Sequence, residues 1–165
     1  MQRRSGLQPT KVVRVASALA LCCAAAPFVS AAPSTFTPVI GNALLCRSHL
    51  DNAYFYSYMA SAFGPSYKHE DGAYWFKADA TLWGAAVTEI LVSDDSSELV
   101  FVGAVTDNTP DKLDEAIRAA VGTRHLAQDN SPFPVRVSAL GSQIVYFNDK
   151  SKIYCAKYKA LPPAR

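Results

Sequence analysis

The sequence predicts an α+β fold: a single antiparallel sheet of about five strands with two helices packed on one face, in the order α-β-β-β-α-β-β. Three observations lead there. Two amphipathic stretches with helical period stand far apart, near residues 50–63 and 110–121. Three consecutive runs rich in β-branched and aromatic residues lie between them, and two more follow. Strands that come in runs, rather than alternating singly with helices, argue against a parallel α/β sheet.

The chain opens on a segment that reads as a secretory signal peptide. Arg3, Arg4, Lys11 and Arg14 form a basic region without acids. An apolar stretch rich in Ala and Leu runs from Val15 to Val29, and Val29-Ser30-Ala31 has a small-residue cleavage pattern. Cleavage is expected after Ala31. A spanning anchor needs about 20 apolar residues, and Pro27 and the small residues favour cleavage instead. Cys22 follows Leu21 and Cys23 follows Cys22, so neither suits lipidation. Arg3-Arg4 lacks the apolar pair that a twin-arginine signal carries behind it. The chain is therefore expected to be exported, to a bacterial periplasm or outside the cell, with no stable membrane anchor after cleavage.

Cleavage removes four basic residues and no acids from totals of 16 and 14, so the mature chain has 134 residues and a net charge of −2. The pI of 8.3 belongs to the precursor. No cluster of Lys and Arg remains, which argues against a nucleic-acid partner. Cys46 and Cys155 also remain, and in an oxidising compartment they are expected to form a disulfide. A loop of 109 residues closed by that bond stabilises the fold by about 4–5 kcal/mol in the chain-entropy model. A nucleophilic role for Cys46 with His49 would need a third, orienting group that the spacing does not supply.

Residues 32–38 read as a flexible leader, 39–160 as one domain and 161–165 as a loose tail. The first helix is predicted over Leu50–Phe63, where Phe55, Met59 and Phe63 recur every fourth residue, with Ser48 or Asp51 as cap and Gly64-Pro65 as stop. The strands are predicted over Gly72–Ala80, Leu82–Ser93 with a bend at Gly84, and Glu98–Thr106. The last is apolar at nearly every position, as in a strand covered on both faces. Thr109-Pro110 starts the second helix, whose apolar stripe is Leu113, Ala116, Ile117, Ala120 and Val121, and Gly122 ends it. Residues 123–133 read as a loop. Val135–Phe147 and Lys152–Tyr158 then form a hairpin around Asn148–Ser151.

Motifs for phosphate loops, serine-hydrolase elbows, zinc proteases and paired-cysteine centres are missing, and no cofactor is expected. His49, His69 and His125 could join Glu70 or Asp71 around a metal, but His69-Glu70-Asp71-Gly72 reads better as a solvated turn. Asp111, Asp114 and Glu115 read as solubilising charges that complement the helix dipole. The informative feature is the sheet face away from the helices. Alternation sends Tyr74, Phe76 and Ala78 inward, and Trp75, Lys77 and Asp79 outward. The same reasoning puts Glu89, Val87 and Leu91 on the outer face, and Arg136 with them. Trp75, Lys77, Glu89 and Arg136 are the expected ligand-binding residues, since Trp and Arg beside apolar positions have the composition of a binding surface. An exposed Trp75 further implies that Trp75→Ala leaves stability almost unchanged.

The resulting expectation is a small exported, non-catalytic protein that binds a protein or small-molecule partner through its outer sheet face, or pairs with itself as a homodimer. The alternatives are a hydrolase-type enzyme with a histidine site assembled in space, around His49 or His69, and an envelope structural or assembly factor.

Overall fold

A computed structural model describes residues 31–159. The predicted signal segment up to residue 30 and the predicted tail 161–165 lie outside the described residues. A π-helical turn, Thr37–Gly41, runs into the short helix α1, Asn42–Leu44. Then come α2 (Asn52–Phe63), β1 (Lys68–Glu70), β2 (Ala73–Leu82), β3 (Ala85–Ser93), β4 (Leu99–Thr106), α3 (Pro110–Val121), β5 (His125–Ala127), β6 (Arg136–Ser138), β7 (Gln143–Phe147) and β8 (Lys150–Tyr158). The strands form one antiparallel sheet in the order β1-β2-β3-β4-β8-β7-β6-β5. Among the described residues no helix is long and apolar enough to cross a membrane.

The α+β class and the single antiparallel sheet are as the sequence predicts, but the sheet has eight strands rather than about five. β1 occupies the stretch read as a solvated turn, and β5 the stretch read as a loop. The run Val135–Phe147 is two strands, because it turns at Ala139–Gly141 between β6 and β7. β1 and β5 are the two edges of the sheet, with β6 beside β5. At three residues each they have too little length to show a period. The expected bend at Gly84 is a complete two-residue hairpin turn. Trp83 and Gly84 both have positive φ (53° and 83°), the conformation that matches the twist of the flanking strands.

One core fills the helix-covered face. Phe55 and Met59 of α2, Leu113 and Ile117 of α3, and Ile40 and Leu44 from the first turns meet Phe76, Ile90, Val102, Ile144 and Ile153 of the sheet. Asp51 caps α2 by accepting a hydrogen bond from the Tyr54 amide at 3.0 Å. Thr109 holds the cap position of α3 but makes no side-chain cap bond. Cys155, on the inner side of β8, is joined to Cys46 between α1 and α2, with Cα atoms 5.3 Å apart. The bond pins the N-terminal turns to the central strands.

The expected flexible leader is instead part of the fold. Phe36 is only 2% exposed and packs edge-on against Phe63 at 5.5 Å, and the Thr35 hydroxyl lies 3.1 Å from the Tyr58 hydroxyl. An aromatic side chain one helical turn before Ile40 has the same apolar face to fill, which the Pro- and Thr-rich composition around it concealed.

Candidate functional site

The face away from the helices is built from rows of side chains that cross the strands. One row runs Lys68, Trp75, Leu91, Gly103, Tyr154 and Gln143, each the register partner of the next. The neighbouring row runs Lys77, Glu89, Val105 and Lys152. Ala73, Trp75, Leu91 and Val105 form a second, smaller apolar cluster there, with Phe101 and Phe147 against it. Gly103 sits at the centre of its row. A Cβ at that position would stand 3.5 Å from the Cβ of Tyr154 and 3.7 Å from that of Leu91, so its absence leaves a dip between two large side chains.

Trp75 lies on the outer face, as alternation requires, but it is not exposed. It retains 8% of its surface. Lys68 Nζ stands 4.6 Å from its ring centroid, and Lys152 Nζ stands 5.2 Å from it on a side chain reaching across from β8. Lys152 Nζ also lies 4.4 Å from the Phe147 ring. Two lysines thus roof the indole with their ammonium groups over aromatic faces. The expectation of an exposed Trp75 that could be removed at no cost to stability is corrected accordingly.

Beside this bridge an open cleft of about 280 Å³ runs along β4. It is lined by Trp75, Leu91, Phe101, Gly103, Tyr154 and Lys152, with Glu70 and Asp71 at its mouth. Two polar groups at the cleft are unmatched among the described residues. The Trp75 Nε1–H is buried with no acceptor. Among the described residues Lys152 makes no ion pair or hydrogen bond, and burial, with the like charge of Lys68, pushes its ammonium below its ordinary pKa, an effect only partly opposed by Glu89 and Asp71.

Lys77 and Glu89 sit side by side one row away, register partners and an ion pair. The Tyr67 hydroxyl donates to the same Glu89 Oε1 at 2.7 Å, and Lys77 Nζ lies 4.4 Å from the Tyr67 ring. Burial pushes Glu89 up, but the bonds from Lys77 and Tyr67 outweigh it and hold the carboxyl below its usual value. The three groups satisfy one another and leave little to offer a ligand. Arg136 departs from its predicted place. Its register partner is Ile144 of the main core, and its guanidinium pairs with Asp111 of α3, so it lies on the helix side. Val87 also faces inward, because β3 carries an extra residue between Val87 and Glu89 that breaks the alternation. Of the four expected residues, Trp75, Lys77 and Glu89 share the outer face and Trp75 alone lines the cleft.

The histidines stand apart. His69 stacks on Tyr74 at 4.2 Å and meets Asp94 Oδ2 at 2.7 Å. His49 is on the segment before α2. Among the described residues no group of His, Cys, Asp and Glu is arranged to hold a metal. The sequence offers His125 only as a metal-ligand candidate, yet the structure places it in a different arrangement. Its Nδ1 is 3.2 Å from Asp114 Oδ1, and its Nε2 is 3.2 Å from Ser142 Oγ. A carboxylate can only accept, so Nδ1 carries the proton and Nε2 accepts from the serine. Asp114 also accepts from the His125 amide at 2.7 Å, which makes it a brace rather than the free solubilising charge expected. This is the Asp-His-Ser order of a serine hydrolase, but Ser142 has no exposed surface and its amide already donates to Ser138 Oγ. Burial also lowers the His125 pKa, with Asp114 opposing weakly. The trio ties α3 to the β5–β6–β7 end of the sheet.

No protein-family model, curated protein or solved structure matches the chain.

Proposed function

We propose that this chain is an exported, non-catalytic binding protein that takes a ligand in the cleft on the sheet face away from α2 and α3. One observation carries the reading. That face holds an apolar cleft flanked by the half-buried Lys152, which pairs with no carboxylate among the described residues, and the Trp75 Nε1–H beside it is buried with no acceptor, whereas buried polar groups are ordinarily paired. Export accords with the basic and apolar N-terminal pattern and with a disulfide between the two cysteines that remain after cleavage. The test uses the neutral fluorescent probe N-phenyl-1-naphthylamine. The disulfide-bonded protein should bind it at one site, and Gly103→Val, which fills the floor of the cleft, should abolish that binding. Equal binding by the two proteins, or none by either, overturns the reading.

The second reading, a hydrolase, draws on Asp114, His125 and Ser142. It is weaker because the sealed Ser142 hydroxyl gives a substrate carbonyl no approach, and the adjacent amide is already spent. A fluorophosphonate serine probe separates the two readings. Labelling of Ser142 favours the enzyme, and an unlabelled protein favours the binding module.

A further inference from the structure

We propose that the occupant of the outer-face cleft is a small amphipathic carboxylate, its apolar body held among Trp75, Phe101 and Tyr154 and its head against the Lys152 ammonium. This rests on the reading of the cleft as a binding site and adds the chemical class of what fills it.

The walls decide the body. Leu91, Phe101, Gly103, Tyr154 and the Trp75 ring present carbon surface over most of the cleft, and about 280 Å³ admits a short chain or a single ring rather than a folded partner. The Tyr154 hydroxyl is already committed, donating to Gln143 Oε1 at 2.8 Å, so that wall contributes its ring. The unpaired ammonium decides the head. Lys152 Nζ stands over the Trp75 and Phe147 rings and pairs with no carboxylate among the described residues, and the Trp75 Nε1–H near it is buried without an acceptor. A carboxylate supplies acceptor oxygens and a charge opposite to that of Lys152, whereas an amine or a second cation would meet repulsion there.

The charges around the cleft leave Lys152 as the one to be answered. Glu70 is paired with Lys68, and Glu89 is paired with Lys77 and Tyr67. Asp71 sits exposed at the mouth, where water screens it, while Lys152 is half-buried among aromatic rings. A charge in the less polar position interacts more strongly with a bound head group. The cleft therefore has a polarity: cationic and apolar within, acidic at the rim.

The experiment titrates the ¹⁵N-labelled, disulfide-bonded protein with octanoate and with 1-octanol, which share a body and differ in the head. The Trp75 indole N–H and the Gly103 amide report occupancy. Octanoate should bind at least about tenfold more tightly than octanol. Lys152→Met should keep octanol binding and lose the preference, and Gly103→Ala, a substitution that meets only ordinary contacts, should weaken both. If wild type binds octanol as well as octanoate, or if the preference survives Lys152→Met, the carboxylate assignment is overturned while the cleft remains a binding site. If neither probe shifts the two resonances, the assignment and the binding reading fall together.

Discussion

The two faces of this sheet solve the same problem by different means. On the inner face, the π-helical turn and helices α1, α2 and α3 lay Ile40, Leu44, Phe55, Met59, Leu113 and Ile117 over the strands, and a disulfide ties the first turns to β8. On the outer face no backbone element among the described residues covers the strands. Trp75, Leu91 and Val105 are shielded by side chains alone, chiefly the long stems of Lys68 and Lys152. A cover made of helices is held in shape by its own backbone hydrogen bonds. A cover made of lysines can swing away, and it leaves a cleft where the central strand carries glycine. Burial of a residue on the outer face therefore does not make it part of a permanent core.

The disulfide gives the largest test of that contrast. Replacing Cys46 and Cys155 by serine should destabilise the protein by about 3–5 kcal/mol, given the 109-residue separation. Denaturant unfolding measures it. If the inner cover depends on this bond, hydrogen exchange should accelerate first in α1 and β8. Unchanged stability would mean that the helical cover holds without the covalent tie.

Adjacent positions in β3 give the next test. Ile90 faces the inner core and Leu91 the outer cluster, with essentially the same local backbone. Ile90→Ala should cost about 2–5 kcal/mol, because the rigid cover cannot collapse into the void. Leu91→Ala should cost about 1–2 kcal/mol, since lysine stems and water can move in. Equal losses would show that the outer cluster is as firmly covered as the inner one, and the case for a ligand cleft would weaken.

The sequence was legible wherever a period had length to express itself. Helices α2 and α3, the central strands and the cysteine pair all follow from patterns of eight residues or more, or from a two-body argument with no competitor. Strands β1, β5 and β6, three residues each, are too short for that, and only their pairing with neighbouring strands marks them. The outer face was half legible. Parity put Trp75, Lys77 and Glu89 there correctly, but the assignment failed at Arg136 and Val87. At Val87 parity is lost across the extra residue in β3, whereas at Arg136 parity holds through the turn and it is the polar Arg136, not Val137, that shares the inner face with Ile144. A usable signal was present in β4, whose apolar residues occupy both parities: Val100, Val102 and Ala104 inward, Phe101 and Val105 outward. A strand apolar on both sides announces that something covers its second face. Lys152 and Tyr154, two residues apart in β8, could have been found as that cover. The Asp114-His125-Ser142 contact joins a helix, a three-residue strand and a turn, and no local pattern encodes it.

Lys152 yields a smaller effect whose sign is informative. Because burial lowers its pKa below 10.5 in the folded state, the unfolded chain binds the proton more readily. Stability should therefore rise as pH rises through the folded value toward 10.5. Lys152→Met should remove this dependence and raise stability slightly, since water screens part of the burial cost. Thermal unfolding at pH 7 and pH 10 checks both statements. A group that costs stability while contributing an unmatched donor to a cleft is what a binding site, and not a structural cluster, would retain. If Lys152→Met destabilises instead, the lysine is needed as a lid on Trp75 and the outer cluster is structural.

The smallest effect concerns the edge of the outer face. Hydrogen bonds from Ser96 and His69 hold Asp94 well below the ordinary carboxylate range, at about 2. The interaction ties His69 of β1 to the turn after β3, and β1 supplies Lys68 and Glu70 to the outer wall. A carboxyl with a depressed folded pKa contributes stability that is fully present above its unfolded value of 3.8 and is lost as pH falls through about 2. Acid should thus loosen β1 first, seen as faster amide exchange at residues 68–70 between pH 4 and pH 2, while the inner residues of β4 and β8 stay protected. Asp94→Asn should bring that loosening to neutral pH and remove its acid dependence. Exchange that rises together in β1 and β8 would show instead that the two faces open as one unit, and the distinction between a fixed cover and a movable one would fail at the edge where it is easiest to see.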